Sequence, residues 1–347
     1  MHLDFEILDL RTRHAFNIAR AASVPVRRSV WIRLSDDEGN TGWGEAAVTT
    51  AYYGETAETA AAVLPLLGDA VDVAAEGDPF ALERIEAAVR HTIGGNTAAT
   101  MGISAALHDL VGKRLGVPVW RLFGLDPAAP VSSFTIAIDD LERMRENVRE
   151  AAGYPILKIK VGTDRDEEIL AMIREEAPDK VVRVDANTAW TAKETMAALP
   201  MLEEYGIELL EQPLPPGDLE GLREVTAMSS IPVVADESCK STADIPRLVG
   251  AVDVINIKLS KCGSLREGLR MVHCARAHHM QVMLGCMIES TLGIAAAVQL
   301  APLVDYVDLD GAALLADDPF TGPGIDAGGR MRFNDAPGLG VALRQSS

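Results

Sequence analysis

Cysteine is scarce. Cys239, Cys262, Cys274 and Cys286 are the four in 347 residues, with no CxxC pair and no Cys/His spacing of the zinc-binding kind. Neither a disulfide framework nor structural zinc is expected from that pattern. The seven histidines are scattered, and His278-His279 reads as a helix end. Long apolar runs are missing too, so no segment resembles a bilayer span. Aromatic residues make up 5% beside a hydrophobic content of 48%, as in an ordinary soluble globular protein. Basic residues are in deficit, and the formal net charge of −19 argues against nucleic acid or an anionic membrane as partner. An acidic ligand would therefore need local positive charge. The opening "MHLDFEILDL" lacks the basic start and apolar core of a signal peptide, so a cytoplasmic location is expected.

What is present falls into two textures. Residues 1–50 read as β-structure, with "SVWIRLS" and "TGWGEAAV" flanking the turn "DDEGN" as a hairpin. Helical spacing follows over about 55–67, 79–91 and 97–115, the last closed by Gly116 and Pro118. After about Pro130, eight short β-rich runs alternate with helical stretches, from "VSSFTIAI" and "ILKIKVG" to "VDYVDLD". Continuous apolar runs suit parallel strands buried on both faces. Eight strands, all but the last followed by a helix, predict an α/β fold closed as a barrel. The Gly- and Pro-rich tail from Asp317 is expected to pack back on the N-terminal region.

Charged residues end those strands in register. Lys160, Asp185, Glu211, Asp236 and Lys258 follow one another at steps of 25, 26, 25 and 22 residues, about the length of one βα unit. They would gather at the carboxyl ends of the strands, where barrel active sites sit. Asp185, Glu211 and Asp236 would end three adjacent strands about 4.8 Å apart. Carboxylates so close repel unless a cation or protons intervene. An all-oxygen acidic set favours a hard ion, Mg²⁺ first and Mn²⁺ as its substitute. The alternative is a set of surface salt bridges to helix lysines.

Lys158 and Lys160 lie two apart in "ILKIKVG", so both point to one side of their strand. Lys160 ends the second strand and Lys258 the sixth, which stand opposite each other in an eight-stranded barrel. Two amines across a mouth suit removal of a proton from one face of a carbon and its return to the other. A lysine base must be neutral, against an ordinary pKa near 10.4. Lys158 and a metal ion would each disfavour the charged form of Lys160, so the paired lysines read as a device for lowering its pKa. The alternative is a stem-packed pair with its amines in water.

With these residues in place, the sequence resembles the enolase superfamily, and within it the muconate-lactonizing subgroup. The likeness runs through "TGWGEA", "LKIKVG", "RVDAN", "ELLEQP", "VADES", "INIKLSKCG", "VMLGCMIES" and "APGLG". Lysine or histidine bases working with Mg²⁺ are general to that superfamily, so this chemistry comes with the resemblance. It implies a modified TIM barrel, (β/α)7β, over residues 126–317. An α+β capping domain over 1–125, completed by the tail 318–347, would lid the mouth. A homo-oligomer is expected.

"YVDLDG" places Asp308 and Asp310 at the end of the eighth strand, across from the acidic trio. It resembles the Asp-x-Asp motif with which dipeptide epimerases hold a substrate's terminal amine. The resemblance implies a small dipeptide, L-Ala-D/L-Glu foremost, inverted at the α-carbon of its second residue. The substrate's carboxylate would lie on the metal and the two lysines would exchange its α-proton. "FNIARAAS" is similar to the mobile loop of this group, and Arg20 matches an arginine that reaches a side-chain carboxylate there. Ala21 stands where a glycine is common. Thr135, Tyr52 and Tyr53 complete the substrate-binding set. Acylamino-acid racemisation, succinylbenzoate-forming dehydration and cycloisomerisation are the related enzymatic alternatives, and a ligand-binding barrel is the non-enzymatic one.

Overall fold

A computed structural model describes residues 1–19 and 26–344, with all their side chains except those of Ala51 and Tyr52. Three antiparallel strands open the chain: β1 (His2–Arg11), β2 (Val26–Ser35) and β3 (Thr41–Ala46). Alternation along β2 sends Val30, Ile32 and Leu34 into a core shared with three helices, Ala57–Ala75, Leu82–Thr92 and Thr97–Leu115. Ser29 and Trp31 point the other way, toward the barrel. The motif "TGWGEA" divides similarly. Gly42 and Gly44 lie so close to helix Thr97–Leu115 that a Cβ would meet Ala106 O at 1.9 Å and Gly102 O at 2.0 Å. Trp43 and Glu45 occupy the opposite face. Two glycines thus let a helix lie directly on the sheet.

The expected first helix runs on to Ala75 instead of ending near Leu67. Gly68 does not break it, because its bare surface packs on Leu3, whose Cβ would lie 3.2 Å from an added methyl. Local propensity yields there to packing against β1.

Eight parallel strands follow: β4 (Phe134–Ile136), β5 (Ile156–Lys160), β6 (Val181–Asp185), β7 (Ile207–Glu211), β8 (Val233–Ala235), β9 (Val254–Lys258), β10 (Gln281–Gly285) and β11 (Tyr306–Asp308). They pair in chain order. A parallel bridge between Ser132 and Val307 joins the ends, with Ser133 N donating to Val307 O at 3.0 Å. Helices follow each strand from β4 to β10, so seven βα units and a last strand close the barrel.

The tail touches the first domain at two places. Phe320 packs edge-on against Trp31 at 5.2 Å, and Leu339 N donates to Asp109 Oδ1 at 2.7 Å. Glu45 joins the domains most directly. Its buried carboxylate accepts from Ser29 Oγ at 2.7 Å within the cap and from the N–H groups of Ser290 and Gly293 on the barrel at 3.1 and 3.2 Å. It therefore caps helix Thr291–Val298 from across the interface. Among the described residues, no helix is long and apolar enough to cross a membrane.

Candidate active site

Register assembles the site. Lys160 lies opposite Asp185, and Asp185 opposite Glu211. On the other side Lys258 lies opposite Gly285, and Gly285 opposite Asp308. A Cβ at Gly285 would come within 3.1 Å of Lys258 Cε, so the glycine leaves room for the lysine to reach inward. Asp236 and Asp310 follow just after β8 and β11. Asn187 and Thr188, just beyond Asp185 and Ala186, and Gln212, next after Glu211, take φ values of 44°, 66° and 34°, uncommon for side-chain-bearing residues. Hydrogen bonds hold them there: Asn187 N to Asp185 Oδ1 at 2.9 Å, Thr188 N to Gln212 O at 2.8 Å, and Gln212 Nε2 to Ser238 Oγ at 2.8 Å.

Lys158, Lys160, Asn187, Asp236, Lys258, Asp308 and Asp310 line one cleft of about 930 Å³, its open mouth included. Lys158 is central. Its Nζ lies 2.7 Å from Glu211 Oε2, 2.8 Å from Asp308 Oδ2 and 3.1 Å from Asp185 Oδ2. Lys160 Nζ donates to Asp185 Oδ2 at 2.7 Å. Lys258 Nζ donates to Asp236 Oδ2 at 2.8 Å, and Lys261 Nζ to its other oxygen at 2.6 Å. Burial alone would push Lys158 down, yet Asp308, Glu211 and Asp185 hold it well above an ordinary lysine. Burial would likewise raise Asp185, but Lys160 and Lys158 bring it down to about 2.

Two contacts add detail that the sequence does not carry. The sequence predicts that Lys158 depresses Lys160 by like-charge repulsion. In the structure Lys158 bridges three carboxylates, because it sits one strand layer deeper than Lys160, among the acids. The sequence also sets Asp308 across from the trio. One ammonium joins it to Glu211 and Asp185 because the barrel interior is narrow. Asp308 also accepts from Ser133 Oγ at 2.6 Å. Asp310 accepts from Thr135 N at 2.6 Å, and burial together with Asp308 pushes its carboxyl up to about 7.

Thr135 and Tyr53 line the cleft with the lysines, and Lys240 Nζ lies 5.1 Å from the Tyr53 ring centre. Arg20 lies outside the described residues, as does the side chain of Tyr52.

Among the described residues, no three acidic, histidine or cysteine side chains already converge as an ion cage. Asp185 and Glu211 converge on Lys158 Nζ, while Asp236 turns to Lys258 and Lys261. The donor set nevertheless fits a hard divalent cation. Asp185, Glu211, Asp236, Glu237, Asp308 and Asp310 are buried, and the buried lysines beside them are fewer: Lys158, Lys160, Lys258 and Lys261. Both carboxyl oxygens of Glu237 and Oδ1 of Asn187 are buried in the cleft wall without a hydrogen-bond partner. Burial and the neighbouring Asp236 push Glu237 up to about 8. Uncompensated oxygens beside an excess of acid are what a metal ion relieves.

Sequence reasoning passed over Glu237, Lys261, Asn256 and Arg27. Lys261 was findable, because three residues after Lys258 is one turn of the short helix Leu259–Cys262. Asn256 was findable by the rule that pairs Lys158 with Lys160, since it lies two before Lys258 and donates to Glu211 Oε1 at 2.9 Å. Glu237 was masked by strand alternation, which ends at Ala235.

Comparison with known proteins agrees with this architecture. The L-Ala-D/L-Glu epimerase of Bacteroides thetaiotaomicron is 41% identical over 98% of this chain and 88% of its own length. A dipeptide epimerase of Enterococcus faecalis V583, crystallised with Mg and L-Leu-L-Tyr, superposes with a TM-score of 0.92 at 34% identity, covering 98% of both chains. An N-succinyl Arg/Lys racemase of Bacillus cereus reaches a TM-score of 0.92 at 28% identity, over 99% of this chain and 95% of its own. Residues 140–347 match the enolase C-terminal domain-like model, and residues 5–124 match the N-terminal domain model of mandelate racemase and muconate lactonizing enzyme. With both models matched in chain order, the chain belongs to the mandelate racemase/muconate lactonizing enzyme family.

Proposed function

We propose that this chain is a Mg²⁺-dependent dipeptide epimerase that inverts the α-carbon of the second residue, with L-Ala-D/L-Glu as its foremost substrate. The observation that carries the reading is Asp310 in the same cleft as the opposed lysines. Its carboxyl is buried beside a second acid, with a backbone N–H for partner. A substrate ammonium supplies the charge that this carboxyl lacks. Lys160 and Lys258, at the ends of β5 and β9, reach the α-carbon from opposite sides. One removes the α-proton and the other delivers a proton to the far face.

Asp185, Glu211 and Asp236 would hold the ion, with Mn²⁺ as a substitute. When bound, it supplies positive charge against the negative charge that grows on the substrate carboxylate as the proton leaves. Lys158 holds oxygens of Asp185 and Glu211 that an ion would claim, and its third acid, Asp308, stands outside that set. Asp308 then both anchors Lys158 and, with Asp310, faces the substrate amine.

The likeness to an N-succinyl amino-acid racemase supports a second reading, racemisation of an N-acyl amino acid. Such a substrate carries no ammonium for Asp310. Incubation in D₂O with Mg²⁺ separates the two. Deuterium entering the second residue of L-Ala-L-Glu, with the L-D product, supports epimerisation, and chelation should stop it. Exchange of N-acyl amino acids with none in free-amine dipeptides would replace this reading with the second.

A further inference from the structure

One cation of the cleft is unlike the rest. Lys158, Lys160 and Lys258 each contact a carboxylate within 3.1 Å. Arg27, at the cap edge of the same cleft, has no carboxylate partner among the described residues. Its Nε is buried without a hydrogen bond. Burial draws its pKa below the usual arginine value, as for a guanidinium that no anion compensates. The neighbouring residue is its control. Arg28 is exposed and ion-paired with Asp9 at 3.3 Å and with Glu58. Alternation along β2 explains the difference, because Arg27 shares its face with Ser29 and Trp31, the face turned to the barrel. A buried guanidinium donor left unmatched is costly in a folded protein.

The surroundings narrow what would match it. Phe16, Ile18 and Val48 give the cap side of the cleft, which also holds Arg27, Thr49 and Tyr53, a largely apolar lining. The acids and lysines occupy the barrel side. A ligand that spends its amine and its carboxylate on the barrel wall can meet Arg27 only through a third group. That group must be anionic at its tip and apolar along its stem. Arginine presents a planar fork that suits a carboxylate in two parallel hydrogen bonds.

We propose that Arg27 determines specificity by receiving the side-chain carboxylate of an acidic second residue of the dipeptide. This rests on the epimerase reading and goes beyond it by assigning the discrimination to one residue of β2. Arg27 touches no reacting atom in this scheme, so it should weigh on affinity for one class of side chain and not on the proton transfer itself.

The test compares L-Ala-L-Glu with its neutral isostere L-Ala-L-Gln, in wild type, Arg27→Gln, Arg27→Lys and Arg28→Gln. Turnover is followed by α-deuteration and binding by calorimetry on the Mg²⁺-loaded protein. Arg27→Gln should lose at least about tenfold more kcat/KM on the glutamyl than on the glutaminyl dipeptide, chiefly in KM. Arg27→Lys should restore part of that preference, and Arg28→Gln should keep the wild-type ratio. Equal losses on both substrates, or an unchanged ratio in Arg27→Gln, would overturn the assignment. If no dipeptide is turned over by wild type, the epimerase reading fails and binding alone decides Arg27. Tighter binding of the glutamyl ligand that vanishes in Arg27→Gln supports the assignment, and equal binding of both ligands to wild type refutes it.

Discussion

The two walls of the cleft satisfy their charges differently. On the barrel wall, lysines and carboxylates from six strand ends interlock, with Lys158 joining three acids from three different strands. On the cap wall, Arg27 has no acidic partner among the described residues, and Phe16, Ile18 and Val48 line the same wall. A self-balanced lattice suits chemistry common to many substrates, since its groups are positioned before anything binds. An unbalanced charge on the other wall suits selection, since only a ligand that completes it gains from it. The division follows the fold. Strand ends in a closed barrel fix positions to a fraction of a side chain, whereas the edge of a three-stranded cap can vary without disturbing the barrel.

Removing a barrel lysine should break the contrast most severely. Lys258→Ala is expected to lower epimerisation about a thousandfold or more, within the range for loss of a proton-transfer group. Asp236 keeps Lys261 at 2.6 Å, so the fold should survive. Circular dichroism checks the fold and α-proton exchange in D₂O checks the chemistry. Activity near wild type would take Lys258 out of the mechanism. A smaller effect is expected from Asp310→Asn, which keeps the contact with Thr135 N but removes the charge offered to an amine. A loss of about tenfold to a hundredfold in kcat/KM, mostly in KM, is expected for free-amine dipeptides. An unchanged value would remove the amine grip.

Much of the barrel wall was legible in the sequence because each charge ends an apolar run, and runs about 25 residues apart must be successive βα units. Which oxygen each lysine meets was not legible. Lys158 and Lys160 share a face by alternation, but depth in the barrel decides that Lys158 reaches Glu211 and Asp308 while Lys160 stops at Asp185. The cap wall was harder. "RRS" offers two adjacent arginines, and only the pairing of β1 with β2, Leu10 opposite Arg27 and Asp9 opposite Arg28, settles which one turns inward. The helix beyond Gly68 was hidden for a similar reason, since Leu3 supplies from far along the chain the packing that glycine's own propensity opposes.

Where the walls meet, Glu45 of the cap and Glu289 of the barrel give the smallest and most specific test. Burial, with Glu45 close by, pushes Glu289 up to about 8, and its Oε1 accepts from Met287 N at 3.1 Å. At neutral pH the folded state therefore keeps a proton on Glu289 that the unfolded chain has released. For a carboxyl raised in this way, stability is fully present below the unfolded value near 4.3 and is lost as pH climbs to 8. A glutamine side chain in its place would be neutral at every pH and would retain an oxygen for Met287 N. Glu289→Gln should thus match wild type near pH 5 and become the more stable of the two by about 2–4 kcal/mol at pH 9, with the gap opening between those values. Thermal unfolding across pH 5–9 measures the gap. A constant difference would mean that Glu289 is ionised in the folded protein, with its negative charge buried where cap and barrel meet.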